Sequence, residues 1–255
     1  MQIRLPGYLA RGYKSPSQQT RAVTEAWGAQ NFYCVNCPSP RLERTPPGTK
    51  GIDYACPRCE STYQLKGQRR PLTGRITDAA YEVMFGLIQA GRAPNLFALH
   101  YDRAEWTVRN LLLVPHFVFT ESAIEKRNPL SASARRHDWV GCNILLANLP
   151  SDARIPLVVD GTPLEPRVAR QQYDTLRPLQ DTPLEARGWT LDVLNVVRKL
   201  RKQEFALAEV YAFADELAAL HPRNRHVDDK IRQQLQRLRH LGFLEFVARG
   251  RYRQK

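Results

Sequence analysis

The sequence predicts an α/β core followed by a winged-helix domain. Three observations carry that reading: strand-like runs alternating with helical spacing, a proline-rich interruption between Gly161 and Pro183, and a final series of three helices and a basic hairpin. A chain of 255 residues can bury two cores of ordinary size. The boundary is expected after residue 182, giving domains 1–182 and 183–255.

Taken in order, residues 18–30 suit an amphipathic helix, with Ala22, Val23 and Trp27 on one side and Glu25 near its end. Glu25 has two readings, a neighbour of a metal site or a solvated surface acid. A Pro- and Gly-rich loop follows, Pro38 to Gly51, with no core of its own. Short strands are expected at Ile52–Tyr54 and Tyr63–Lys66. Helical spacing at Ala80, Val83, Met84, Leu87 and Ile88 predicts a helix over 77–90, stopped by Gly91. Two apolar runs, Asn95–Tyr101 and Trp106–Val114, read as a hairpin, and Arg154–Val159 as a further strand. Together these strands make a small mixed sheet flanked by helices.

Leu130 to Ile144 has less periodicity and reads as a ligand-facing loop. Arg135 and Arg136 can hold phosphates or guanine edges, Trp139 can wedge or stack against a base, and Asn143 can bond a base edge. A core tryptophan with solvated arginines is the alternative. The prolines at 163, 166, 178 and 183 then predict a linker with one short helix.

The C-terminal region predicts helices over 190–200, with Thr190 as N-cap, over 207–220, and from Val227 to Leu241. The last has a core stripe of Val227, Ile231, Leu235 and Leu238, and the expected outward side is Lys230, Gln233, Gln234 and Arg237. Phe243–Val247, the Arg249-Gly250 turn and Arg251–Arg253 then form a hairpin. In a winged helix the third helix enters the major groove, and here Arg249 and Arg251 of the hairpin would contact the backbone or minor groove.

Charge points the same way. The formal net charge is +13, and from Ala186 onward fifteen Lys and Arg stand against eight Asp and Glu. Clustered positive charge gains affinity by releasing the counterions condensed on nucleic acid, so DNA is the expected partner. No run could span a bilayer and no secretory signal opens the chain, which predicts a cytoplasmic protein with reduced thiols and no membrane partner.

Four of the five cysteines form two pairs, Cys34/Cys37 and Cys56/Cys59, with eighteen residues between the pairs. That spacing predicts a tetrathiolate zinc site, and leaves Cys142 as a small buried residue. Asp53 sits just before the second pair. Gln64 and Lys66 share one face of the following strand by the period-two rule. An acid, an amide oxygen and a lysine so placed can hold a divalent metal against a phosphate. The zinc would staple the loop and preorganise those groups.

Runs along nearly the whole chain resemble the DpnI-like family of methyl-directed restriction endonucleases. They include Thr24-Glu25 with Trp27, Tyr33-Cys34, Asn36-Cys37, Asp53 before Cys56 and Cys59, and Leu65-Lys66. They continue with Ala134-Arg135-Arg136, Trp139, Gly141 to Ile144, Arg187 to Thr190, and Lys230 to Gln236. The resemblance implies a PD-(D/E)XK restriction-endonuclease-like core with an inserted structural Zn2+ site, followed by a winged helix. Both parts would sense adenine methylation in GATC, and both DNA strands would be cut with catalytic Mg2+. By position, Asp53 and Gln64 would bind the magnesium, with Lys66 completing the catalytic set, and Trp139 would lie near the methylated adenines. The protein is expected to act as a monomer on double-stranded DNA with methylated adenine.

One position departs from the family's pattern, which has glutamate where this chain has Gln64. An amide oxygen still ligates a hard cation but brings no charge, so the expectation is an active but metal-hungry nuclease. A methyladenine-DNA reader without catalysis is the alternative, and a zinc-ribbon structural subunit is a third reading that leaves Asp53 and Lys66 idle.

Overall fold

The computed structural model describes residues 1–131, 133 and 137–255. After a short 3-10 turn at Gly7–Gly12, helix α1 (Pro16–Asn31) starts on a proline, whose missing N–H is no loss in the first turn. Val23, Thr24, Trp27 and Gly28 form its buried stripe. Gly28 has to be glycine, because a Cβ there would sit 2.5 Å from the Tyr54 hydroxyl and 2.6 Å from the Phe32 ring.

The strands that follow are β1 (Glu43–Arg44), β2 (Tyr54–Ala55), β3 (Thr62–Gln68) and β4 (Arg75–Ala80). Helix α2 (Tyr81–Gln89) then crosses over to β5 (Asn95–Asp102), which runs parallel to β3 and forms an antiparallel hairpin with β6 (Thr107–Val114). Beyond these lie β7 (Ile124–Lys126), β8 (Gly141–Leu145), β9 (Ile155–Val159) and β10 (Thr162–Pro163). Seven strands make one mixed sheet in the order β1-β2-β3-β5-β6-β9-β10. A second sheet, β4-β8-β7, is antiparallel. The α/β class is therefore as expected.

The helix expected over 77–90 begins only at Tyr81, because Ile76 and Asp78 alternate inward as strand residues before it. The expected loop over 130–144 ends in strand β8, which carries Cys142 and Asn143. The proline-rich stretch is not a linker. Its prolines punctuate helices instead: Pro166 starts α3 (Pro166–Leu176), Pro178 lies in a 3-10 turn at Arg177–Leu179, and Pro183 caps α4 (Leu184–Lys199). Ala169, Tyr173 and Leu176 of α3 are buried.

Helix α4 starts at Leu184, so Thr190 is an interior residue and not an N-cap. It is buried on most of its surface. Asn195 donates to the Ala147 carbonyl, Arg198 pairs with Asp152 at 2.6 Å, and Asp192 accepts from Ser122 Oγ at 2.8 Å. On its other side α4 meets the C-terminal fold: β11 (Glu204–Ala206), α5 (Leu207–Tyr211), α6 (Ala214–Leu220), α7 (Val227–His240), β12 (Leu244–Ala248) and β13 (Arg251–Gln254). The single helix expected over 207–220 is thus two. Strands β11-β13-β12 form the sheet of the wing, with Gly250 at φ +70° in its turn and Gly242 at φ +86° ending α7.

The buried stripe of α7 is Ile231, Gln234, Leu235 and Leu238. Gln234, expected on the outward side, is fully buried because its Oε1 accepts from Thr190 Oγ1 at 2.8 Å. A satisfied polar residue can occupy a core position, and its presence turns the outward face toward Arg232, Gln233, Gln236 and Arg239, all exposed. Thr190→Val strands that buried amide oxygen, so it is expected to cost about 1–3 kcal/mol in urea unfolding. Thr190→Val combined with Gln234→Leu should recover most of the loss, and unchanged stability in the single variant would refute the buried pair.

Candidate functional site

Strand alternation builds the site. Tyr54 pairs with Tyr63 in the antiparallel ladder, so both rings point to one face of the sheet. They join Trp27, Phe32 and Phe97 in a continuous aromatic cluster, with Phe32 and Phe97 stacked at 3.9 Å and Tyr63 and Phe97 at 5.2 Å. Their sequence neighbours Asp53 and Gln64 are thereby directed away from that cluster. Lys66, two residues along β3, shares the side of Gln64.

The four predicted cysteine ligands converge. All four sulfurs lie within 4.8 Å of one another, with Cys34 and Cys59 at 3.6 Å and Cys37 and Cys56 at 3.5 Å. Tetrahedral zinc with sulfur ligands at 2.3 Å spaces its sulfurs by about 3.8 Å, so the cluster is compatible with a structural zinc. Polar hydrogens surround the sulfurs. Ser39 N–H and Arg58 N–H point at Cys37 and Cys56, and the Tyr63 hydroxyl lies 3.2 Å from Cys34 Sγ. Burial pushes the Cys34 and Cys37 thiols up, whereas at Cys59 the hydrogen bonds with the Ser61 hydroxyl and N–H, together with those of Cys34 and Cys37, outweigh burial and bring the group down to about 6.

Helix α3 clamps this knot from outside. Arg170 donates to the Cys34 and Ser39 carbonyls at 3.0 and 3.3 Å and lies over the Tyr33 ring. Arg177 donates to Asn36 Oδ1 at 2.8 Å, while Asn36 Nδ2 donates to Ser61 Oγ at 2.9 Å. These two arginines lie in the stretch that reads as linker from its prolines.

At the second site, Asp53 Oδ2 accepts the Leu65 N–H at 2.7 Å, which locks the acid beside β3. Its carboxyl titrates above the ordinary value because burial outweighs the opposing Leu65 N–H and the Lys66 charge. Gln64 is buried, and its Nε2 has no hydrogen-bond partner among the described residues. An orphaned buried amide needs a polar partner, and rotating the amide by half a turn offers its oxygen instead. Such oxygen donors fit a small hard cation. Glu25, on α1, pairs with Arg21 at 2.5 Å and with Arg44, and its charge acts on Asp53.

Lys66 does not stand alone. Its Nζ lies 2.6 Å from Oδ1 of Asp78, whose side chain is wholly buried against 23% exposure for the lysine. The sequence reading missed Asp78 because it placed the residue in a helix. The Ile76, Asp78 alternation was the available signal, since a buried acid implies a cation beside it.

A family model described as the DpnI, Dam-replacing family matches residues 1–182, and one described as the Dam-replacing HTH domain matches residues 185–254. The chain belongs to the Dam-replacing family. Membership and the helix-turn-helix domain support DNA binding and the role of a methylation-dependent restriction enzyme. No helix among the described residues is long and apolar enough to cross a membrane.

The other expected contacts of this Dam-replacing protein are placed unevenly. Arg135 and Arg136 lie outside the described residues. Trp139 is half-buried and packs on Gly141, where a Cβ would come within 2.6 Å of the indole. Asn143 faces Glu125, donating to Oε2 at 2.9 Å, so its amide is engaged within the small sheet. Gln233, Arg249 and Arg251 are exposed. Lys230 is half-buried in a cleft with Trp189 and His221. Arg237 is half-buried too, with Nη1 enclosed and without a partner among the described residues. Gln234 therefore does not belong to the outward face expected of it, while Lys230 and Arg237 are partly exposed.

Replacing Cys59 by serine, or stripping metal with a strong chelator, is expected to release one zinc per chain. The melting temperature should fall by about 10 °C, from a loss of about 4 kcal/mol. A chain that carries no zinc as purified and melts unchanged in chelator would refute the metal knot.

Proposed function

We propose that this chain is a type II methylation-dependent restriction endonuclease that hydrolyses double-stranded DNA at adenine-methylated GATC, using a divalent metal, as a cytoplasmic monomer. The observation that carries the reading is the pairing of a locked carboxylate, Asp53, with an orphaned buried amide, Gln64, beside a lysine. It sits in a chain of the Dam-replacing family that ends in a winged helix.

Magnesium fits the oxygen donors of Asp53, Gln64 and the main chain at Leu65, and when bound it supplies Lewis-acid polarisation and a more acidic water. The Leu65 N–H fixes the carboxylate, so Asp53 meets its ligand without reorganisation. Lys66 Nζ puts a positive charge where charge builds on the scissile phosphate. Hydrolysis adds water oxygen to phosphorus and breaks one ester P–O bond, and the departing oxygen takes up a proton.

Specificity on this reading is shared. Trp139, held on Gly141, presents an indole edge to the methylated adenines. The winged helix offers Arg232, Gln233, Gln236 and Arg239 of α7 and Arg249 and Arg251 of the wing. Plasmid DNA grown with adenine methylation at GATC should be linearised and then fragmented by the purified chain with magnesium, and unmethylated plasmid should stay intact. Binding of methylated DNA with no cutting would instead favour a catalytically silent reader, the reading that the missing charge at Gln64 favours.

A variant at the departing position gives a separate measure. Gln64→Glu restores a full charge to the site, so the magnesium concentration for half-maximal cleavage should fall by about tenfold. A variant that needs as much magnesium as the parent, or cuts nothing, would count against metal ligation by residue 64.

A further inference from the structure

We infer that Asp78 is the positioning residue for Lys66, and that through it the strand pair β4–β8 sets where the lysine's charge points. The inference rests on the nuclease reading above.

The geometry is specific. Lys66 projects from β3 of the main sheet, and Asp78 belongs to β4 of the small one, so the 2.6 Å contact bridges two sheets. The carboxylate is wholly buried, and apart from the Lys66 contact neither oxygen has a polar partner among the described residues, which leaves the ammonium as the group that balances its charge there. Lys66 is also among the charges that act on Asp53, so one lysine is coupled to both acids.

A buried pair is poor value as a stabiliser, since apolar groups of similar size commonly do as well. What it supplies is direction. A long flexible side chain held by one buried carboxylate keeps its terminal nitrogen in one place.

Asp78 itself is held by an irregular ladder. The β4–β8 register shifts between Thr77 and Ala80, opposite the stretch from Asn143 to Gly141, and Tyr81 N–H donates to the Val140 carbonyl at 2.9 Å. Cys142 packs behind the bulge with its thiol 3.6 Å from the Ala79 carbonyl, and burial with the nearby Asp78 charge pushes that thiol up to about 12. The same β8 strand begins two residues after Trp139, so the segment expected to meet the methylated base is continuous with the frame that aims the lysine.

The test is a cycle of Asp78→Asn, Lys66→Met and the double variant, in the full chain. Single-turnover cleavage is measured on a short duplex carrying one fully adenine-methylated GATC, and affinity for the same duplex in calcium. Asp78→Asn should slow cleavage by about thirtyfold or more, the scale of a misplaced catalytic group, with affinity changed less than about threefold. The double variant should be no slower than Lys66→Met, because Asp78 acts through the lysine. Asp78→Glu keeps the charge and moves the carboxylate by one methylene; it should also slow cleavage, and it supplies the answer if the asparagine variant does not fold.

Parental rates in both Asp78 variants would overturn the proposal alone, as would an equal slowing by Asp78→Asn in the Lys66→Met background. A parent chain that cuts no methylated DNA would overturn the nuclease reading and this proposal with it.

Discussion

The contact on which the rest depends is the Tyr63 hydroxyl, lodged 3.2 Å from Cys34 Sγ and 3.3 Å from the Val35 N–H. It fixes the facing of β3. Because strand side chains alternate, a tyrosine held toward the cysteine knot forces Gln64 to the opposite face, and with it Lys66. A slip of one residue would bury Lys66 in the aromatic cluster and expose the Tyr63 ring. Tyr54 imposes the same condition on Asp53 from β2, and its hydroxyl donates to the Glu25 carbonyl at 2.8 Å. The cysteine knot and the face that carries Asp53, Gln64 and Lys66 are thus two sides of one register.

That register was legible from the residues because it is local. Cysteine spacing, the period-two face of Gln64 and Lys66, and the Asn95–Val114 hairpin all follow from neighbours in sequence. The losses were of two physical kinds. Where a polar residue occupies a core position through a distant partner, as Gln234 does with Thr190, the hydrophobic pattern of α7 reads rotated and its outward face is misassigned. Where prolines start and cap helices, as at Pro166 and Pro183, composition alone reads linker, and Arg170 and Arg177 disappear from view. Asp78 belongs to the first kind, because its partner lies on another sheet, and the helix that follows also masks its strand.

Helix α4 shows why the two matched regions act on a common frame. One side holds Ser122, Ala147 and Asp152 of the larger part through Asp192, Asn195 and Arg198. The other holds Gln234 of α7 through Thr190, and Arg198 also reaches Gln254 of the wing at 2.6 Å. His221 stacks on Trp189 at 3.9 Å and bonds Asp192 at 2.8 Å, closing the cleft beside α7. A helix held on both sides by such polar contacts transmits position with little slack.

The charges at the site balance in a way that bears on Gln64. On the proposed reading, Asp78 offsets part of the Lys66 charge from the buried side, so the lysine opposes a cation at Asp53 less than a bare ammonium would. With an amide at position 64, Asp53 is the one carboxylate of the three predicted residues, and any charge on Lys66 left uncompensated would oppose metal entry. A glutamate there would relax that requirement. The buried acid on β4 and the missing acid on β3 are therefore linked. On the proposed reading, a site with one metal-binding carboxylate tolerates its lysine best when a second carboxylate, out of reach of solvent, offsets part of that lysine's charge.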